Sequence, residues 1–299
     1  MTVYHPTLKQ LQYLVSLHEH GHFGRAAEAC FVSQSTLSAG LRDLETLLGV
    51  VLVERTKRAV RFTPLGNAVV AKAHRILREA EELSDMVQSA GQPLSGEVRM
   101  SVIPTIAPFL LPRMLPRLRR ERPALKLFLR EETSAQAMES LHHGRADCVL
   151  LALPYALGDL EVMDLGEDRF SVVYPADHRL PASGVATPAD IASENLLLLE
   201  DGHCLRDQAL AACELESARR NTAFNGTSLH TLAQMVANGL GVTLMPQMAL
   251  DAGIVRGLDV AVRPMADGTS HRRIGLVWRR TSARKETFRR LGEALRPFL

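Results

Sequence analysis

From Ser33 to Gly49 the chain reads "SQSTLSAGLRDLETLLG", with leucine at positions 37, 41, 44 and 48. Steps of four, three and four put those leucines on one face of an α-helix. Ser33 is a favoured N-cap and Gly49 a favoured residue just past a helix end, so the run is bounded on both sides. Such a face is stable only when buried, and the flanking sequence supplies its partners. "TLKQLQYLVSLHEHG" sets Leu8, Leu11, Leu14, Val15 and His18 at helical spacing before Gly21. "FGRAAEAC" is a short Ala-rich helix that ends before "FVS". "VVLVER" and "AVRFT" are short β-type runs around the basic turn "RTKRAVR". Residues 1–63 are therefore expected to form three helices and a hairpin.

A three-helix unit alone can bind protein, and a basic turn alone can be a solvated loop. Together they have the design of a winged helix-turn-helix, whose second helix enters the major groove while the wing meets phosphate. Opposite the leucine face lie Gln34, Ser38 and Arg42, with Ser35 and Thr36 near the helix start. Gln and Arg can pair with base edges, and Ser and Thr suit bases or phosphates. In the wing, Arg55, Thr56 and Arg58 would gain affinity by displacing counterions. Double-stranded operator DNA is the partner expected.

Residues 64–91 read as one long helix, capped by Thr63 and begun by Pro64. Val69, Ala73, Ile76, Ala80, Leu83, Val87 and Ala90 alternate steps of four and three, which is coiled-coil spacing. The alternatives are a helix packed on its own domain and a dimerising linker, and the length favours the linker. "GQPLSG" (91–96) is a plausible hinge. From 97 to 299 strand and helix patterns alternate, which implies α/β architecture with parallel strands. Two lobes are expected, one of about 97–166 plus 270–299 and the other of about 167–269.

The wider composition bounds the setting. Of 299 residues, 46% are hydrophobic and 23% charged, which fits a folded chain. The net charge of +2 is too small to name a partner. Four cysteines do not make a secreted disulfide framework. Neither a signal-peptide pattern nor a membrane-length apolar run occurs. A cytoplasmic, nucleoid-associated protein with no membrane partner is expected, in a compartment where disulfides are usually transient.

Two of the four cysteines lie in "EDGHCLRDQALAAC", residues 200–213. The thiolate is the reactive form, and His203, Arg206 and a helix N-terminus at 204–206 would each favour the anion. In one continuous helix, Cys204 and Cys213 would stand roughly 13 Å apart along the axis. A disulfide tolerates Cα atoms up to about 7 Å apart, so bonding them would require the helix to bend or unwind. Two inert, coincidentally spaced thiols are the plainer alternative. A metal site of His203, Cys204 and Cys213 matches no common zinc spacing, and neither metal nor cofactor is expected. Cys30 and Cys148, at a helix end and a strand start, read as structural.

"FGRAAEACFVSQSTLSAGLRDLETLLGVVLVERTKRAVRFTPLG" resembles the DNA-binding segment of LysR-type transcriptional regulators nearly position for position. The resemblance runs along the whole chain and implies a winged helix-turn-helix domain, a linker helix and a two-lobed periplasmic-binding-protein-like regulatory domain. Ser35 departs from it, since many members have proline there. "LLLLEDGHCLRDQAL" with Cys213 resembles the peroxide-sensing members of that family. It implies hydrogen peroxide as signal, Cys204 as the peroxidatic and Cys213 as the resolving cysteine. "VIPTIAPFLLP" and "HRRIGLVWRR" extend the likeness to a peroxide pocket of Thr105, Thr133, His203 and Arg272.

Thr105 and Thr133 each follow a predicted strand, where α/β sheets gather ligands, although simple helix capping is the alternative for both, and a close one for Thr133. Strand alternation turns one of Arg272 and Arg273 inward, and the resemblance selects Arg272. It also implies a homotetramer with a linker-helix dimer, contact with RNA polymerase and reduction by a dithiol system. The expected function is stoichiometric sensing rather than enzymatic turnover. The alternatives are a regulator answering a small molecule between its lobes, and a thiol peroxidase.

Overall fold

A computed structural model of the chain describes residues 5–55, 60–88, 94–178, 184–192, 194–212, 226–266 and 270–299. Two compact units divide it, residues 1–90 with 143–145 and residues 91–142 with 146–299.

In the first unit, α1 (Leu8–His20) begins with a capping box between Thr7 and Gln10 and closes on Gly21 at φ 59°. The short α2 (Phe23–Ala29) starts at His22, whose Nδ1 accepts from the Gly24 amide at 3.0 Å. Then comes α3 (Gln34–Leu48), where Ser33 Oγ accepts from the Thr36 amide at 3.1 Å. A cap of this kind contributes about 1 kcal/mol. Leu37, Leu41 and Leu44 are buried with Leu14, Leu17 and Ala26, whereas Leu48 stands at the rim, 38% exposed. The wing is β1 (Val53–Arg55) paired antiparallel with β2 (Val60–Phe62). Glu45 ties it to α3, its Oε1 accepting from the Leu52 and Val53 amides at 2.9 and 3.0 Å.

The linker helix is α4 (Pro64–Gln88). Thr63 Oγ1 accepts from the Gly66 amide at 2.9 Å, as its capping role predicts. At Gly66 a Cβ would lie 2.2 Å from the Leu52 carbonyl oxygen, so only glycine lets the helix start this close to the wing. Val70 and Ala73 are buried in the core of this unit, while Ile76 and Leu83 are 39% and 62% exposed. The helix thus has both an internal apolar face and an uncovered one.

The second unit continues with β3 (Gly96–Val102), α5 (Ala107–Glu121), β4 (Leu125–Glu131), α6 (Ser134–His142), β5 (Cys148–Leu153) and β6 (Leu160–Pro175). There follow α7 (Pro188–Ala192), α8 (Cys204–Ala212), α9 (Leu229–Ala237), β7 (Thr243–Pro246), α10 (Gln247–Asp251), β8 (Val260–Pro264), β9 (His271–Arg279) and α11 (Lys285–Leu295). The strand order is β4-β3-β5-β9-β6-β7, with β8 also on β6. Val149 to Ala152, Leu276 and Val277 have no exposed surface and form the centre of the core.

The parallel expectation holds for the first three strands of this unit and fails for the later ones. Among the described strands, β3 pairs in parallel with β4 and β5. β9 runs antiparallel between β5 and β6, and β6 is antiparallel to β7 and β8. The long strand β6 starts at Leu160, well before "RFSVVYPA" (169–176), the run whose apolar pattern alone reads as a strand. Its register shifts between Asp164 and Gly166, and its later half leaves β9 for β7 and β8. The apolar run "NLLLLE" (195–200), which by its pattern reads as a strand, is not one: Leu196 and Leu199 form single bridges to Val242 and Gly226. Among the described residues no helix is long and apolar enough to cross a membrane.

Candidate functional site

On α3, Gln34, Ser35, Thr36 and Arg42 are exposed and Ser38 is partly covered. They form the face opposite the buried leucines. The Ser35 and Thr36 hydroxyls each lie 2.8 Å from Ser33 Oγ, so the cap holds both in place at the helix start. Arg55 ends β1, and Thr56 and Arg58 lie outside the described residues.

Cys204 is the first residue of α8, a buried free thiol, and His203 before it is also buried. Cys204, Leu205 and Ala209 carry α8 into the main core. Gln208 Nε2 donates to the Leu153 carbonyl at 3.3 Å, and its Oε1 is buried without a partner among the described residues. Cys213, directly after α8, lies outside the described residues. Burial pushes the His203 imidazole below its ordinary value, against the opposing charges of Glu200 and Glu131. His203 is therefore neutral at neutral pH. Arg206 is paired with Asp201. What these two offer the thiol is thus a buried imidazole and a guanidinium already paired with a carboxylate. The positive end of α8 remains as a source of anion stabilisation.

Arg272 on β9 is among the largest fully buried side chains. Its Nε and Nη2 donate to Asp168 Oδ2 on β6 at 3.0 and 2.8 Å. Nη1 donates to Thr105 Oγ1 at 2.8 Å, and Nη2 to the Thr105 carbonyl at 2.9 Å. Asp168 Oδ1 accepts from the Met248 amide, at the start of α10, at 2.9 Å. A hydroxyl has one proton to give. Thr105 Oγ1 accepts from the guanidinium, so that proton is available to another acceptor. Arg273 points the other way, half exposed, and pairs with Asp164 and Glu167.

The structure therefore brings Thr105 and Arg272 together. Thr133 is bonded elsewhere: its amide and hydroxyl both donate to Gln136 Oε1, at 3.2 and 3.1 Å, at the start of α6. That is the capping arrangement. Sequence reasoning missed Asp168, which sits 104 positions from its partner and carries no local signal. It also missed Tyr155, whose phenol is pushed up, first by burial and then by the charge of Cys204.

A winged helix-turn-helix head joined by a long helix to an α/β body defines a class of DNA-binding regulator. Residues 8–67 match the bacterial regulatory helix-turn-helix protein, lysR family, and residues 91–299 match the LysR substrate binding domain. The DNA-binding transcriptional dual regulator OxyR of Escherichia coli K12 is 42% identical over 97% of this chain and 94% of its own length. The HTH-type transcriptional regulator EstR of Acinetobacter baylyi is 38% identical over 95% of this chain and 94% of its own. Among solved structures, a full-length OxyR cysteine-to-aspartate variant from Pseudomonas aeruginosa superposes with a TM-score of 0.82 at 35% identity, over 98% of this chain and 95% of that one. A Corynebacterium glutamicum OxyR cysteine-to-serine mutant with hydrogen peroxide bound gives 0.68 at 34% identity, over 99% and 93%. The chain belongs to the LysR family of transcription regulators, in its OxyR group.

Proposed function

We propose that this chain is a hydrogen-peroxide-sensing, DNA-binding transcription activator. One observation carries the reading: the thiol of Cys204 is buried at the positive end of a short helix whose last residue, Ala212, directly precedes a second cysteine. The Cys204 thiolate attacks one oxygen of the peroxide and the O–O bond breaks. The sulfur becomes a sulfenic acid, and the other oxygen leaves as hydroxide and is protonated to water. The Cys213 thiol then displaces the sulfenic oxygen as a second water, leaving a disulfide. The Thr105 hydroxyl proton and the Arg272 guanidinium are suited to orient the peroxide and to favour the departing hydroxide. His203 is proposed to complete the pocket with Thr133, which could take part only through the lone pairs of a hydroxyl whose proton goes to Gln136 in the α6 cap.

Geometry makes the second step conformational. Along α8, Ala212 stands roughly 12 Å from Cys204, and the next Cα is about 3.8 Å further along the chain. The two cysteines thus come no closer than about 8 Å while α8 persists, beyond the reach of a disulfide. Oxidation therefore unwinds α8, shifts the packing between lobes and re-spaces the paired DNA-binding heads. The working assembly is a tetramer with linker-helix dimers, in the cytoplasm on the nucleoid, contacting RNA polymerase and reset by a dithiol reductant.

Peroxide consumption by the reduced full chain tests this. Wild type should consume a single equivalent rapidly and stop, and Cys204→Ser should consume none. Consumption by Cys204→Ser at the wild-type rate would refute the assignment. Sustained turnover with a dithiol, limited only by peroxide supply, would make the chain a peroxidase instead.

A further inference from the structure

Phe31 joins α2 to α3 with φ at 54° and 95% of its surface exposed. Its amide donates to the Glu28 carbonyl, and the Val32 amide to the Ala27 carbonyl, each at 3.0 Å. Those two bonds are the signature of a Schellman ending, with Cys30 as C-cap and Phe31 as the residue beyond it. Glycine is the usual occupant, because a Cβ in the left-handed conformation crowds the following carbonyl. Helices α1 and α3 do close on left-handed glycines, Gly21 and Gly49. Helix α2 instead closes on a bulky aromatic ring left in water. The apolar contact of the motif is already supplied by Val32, which packs against the core. Phe31 thus combines a strained backbone with no burial, and folding of the free chain gains nothing from its ring.

The position of Phe31 gives the ring a use. It lies two residues before Ser33, the N-cap of α3, and the exposed Gln34, Ser35 and Thr36 follow directly. In a helix-turn-helix, that end of the second helix enters the major groove. Apolar side chains there read the methyl group of thymine. We propose that Phe31 is a DNA-contact residue, its ring packing on apolar surface at the edge of the operator groove, either a thymine methyl or a deoxyribose. The assignment rests on α3 being the DNA-reading helix. Strain and exposure in the free protein are then offset when the ring is covered by DNA.

The probe is a duplex selected from a random library with the wild-type chain, alongside a scrambled duplex of equal length. Full-length Phe31→Gly, Phe31→Asn, Phe31→Tyr and Arg42→Ala proteins are compared by affinity, salt dependence and thermal melting. Burying a Phe ring that was exposed is worth enough to change affinity roughly tenfold or more. Phe31→Gly and Phe31→Asn should lose that factor on the selected duplex, with the salt slope unchanged because no charge is removed. Both should melt no lower than wild type, since Gly and Asn tolerate the left-handed backbone, and Phe31→Tyr should bind as wild type does. Replacing dT by dU in the selected duplex locates the contact: weaker wild-type binding with an unchanged Phe31→Gly marks the thymine methyl, and no change in either marks the sugar. Wild-type affinity of Phe31→Gly, with Arg42→Ala weakened, would overturn the role of Phe31 alone. Wild-type affinity of both variants would overturn the reading of α3 as well.

Discussion

Arg272 and Cys204 are both buried in the same unit, yet their surroundings are held in different ways. Arg272 makes four hydrogen bonds to two residues far away in sequence, 104 and 167 positions off. Its arrangement therefore exists only when strands β6 and β9 and the turn after β3 are all assembled. Helix α8 has nine residues, fewer than the ~12–15 at which helices begin to stand alone in water. Among its described side chains only Cys204, Leu205 and Ala209 are buried, and Gln208 makes one long hydrogen bond. A sensor needs both: charge fixed before the reaction, and a reacting segment cheap to unfold after it.

The largest effect is expected where the fixed side is broken. Asp168→Ala leaves the Arg272 guanidinium buried without its carboxylate and should destabilise this unit by roughly 3–5 kcal/mol. Urea unfolding followed through Trp278, the single tryptophan of the chain, reads it. A loss of less than about 1 kcal/mol, the scale of an ordinary surface substitution, would erase the contrast.

A smaller effect sharpens the other side. Asp207 is exposed on α8, so glycine and alanine there differ mainly in helix propensity, by about 1 kcal/mol. If α8 must open before the disulfide closes, Asp207→Gly should form it roughly fivefold faster than Asp207→Ala. Quenched-flow trapping after a peroxide pulse measures both, and equal rates would show that opening does not precede bonding.

The smallest effect concerns pH. Burial holds the His203 imidazole below its ordinary value of 6.5, so the unfolded chain takes up the proton first as pH falls. The stability carried by neutral His203 is fully present above that value and is lost as pH falls through the lower folded one. His203→Gln should flatten the acid side of a midpoint-against-pH profile. An unchanged slope would mean that His203 is not held neutral by the fold.

What could be read in the sequence follows the same division. Caps at Ser33, Gly49 and Thr63 and the leucine face of α3 depend on neighbours within four residues, and they stand as expected. The reach of β6 depends on partners 100 residues away, so its early start and the antiparallel β9 were hidden. In the site, the inward turn of Arg272 follows from strand alternation once the likeness picks the register. Asp168 was one carboxylate among 33 acidic residues until the sheet placed it under the guanidinium. Thr133 shows the converse: a local signal, Gln136 three residues on, was present and marks a cap. Nothing in the letters around Phe31 signals a left-handed backbone, because the residue there is not glycine.

The most direct measurement is hydrogen exchange, read by mass spectrometry on the unreduced peptide spanning 203–213, before and after one equivalent of hydrogen peroxide. The account predicts that the oxidised peptide carries a Cys204–Cys213 link, by a loss of two hydrogens, and that the amides of α8 lose their protection together. A linked peptide with α8 still protected would contradict the conformational step, and a free Cys204 thiol after peroxide would contradict the sensing chemistry itself.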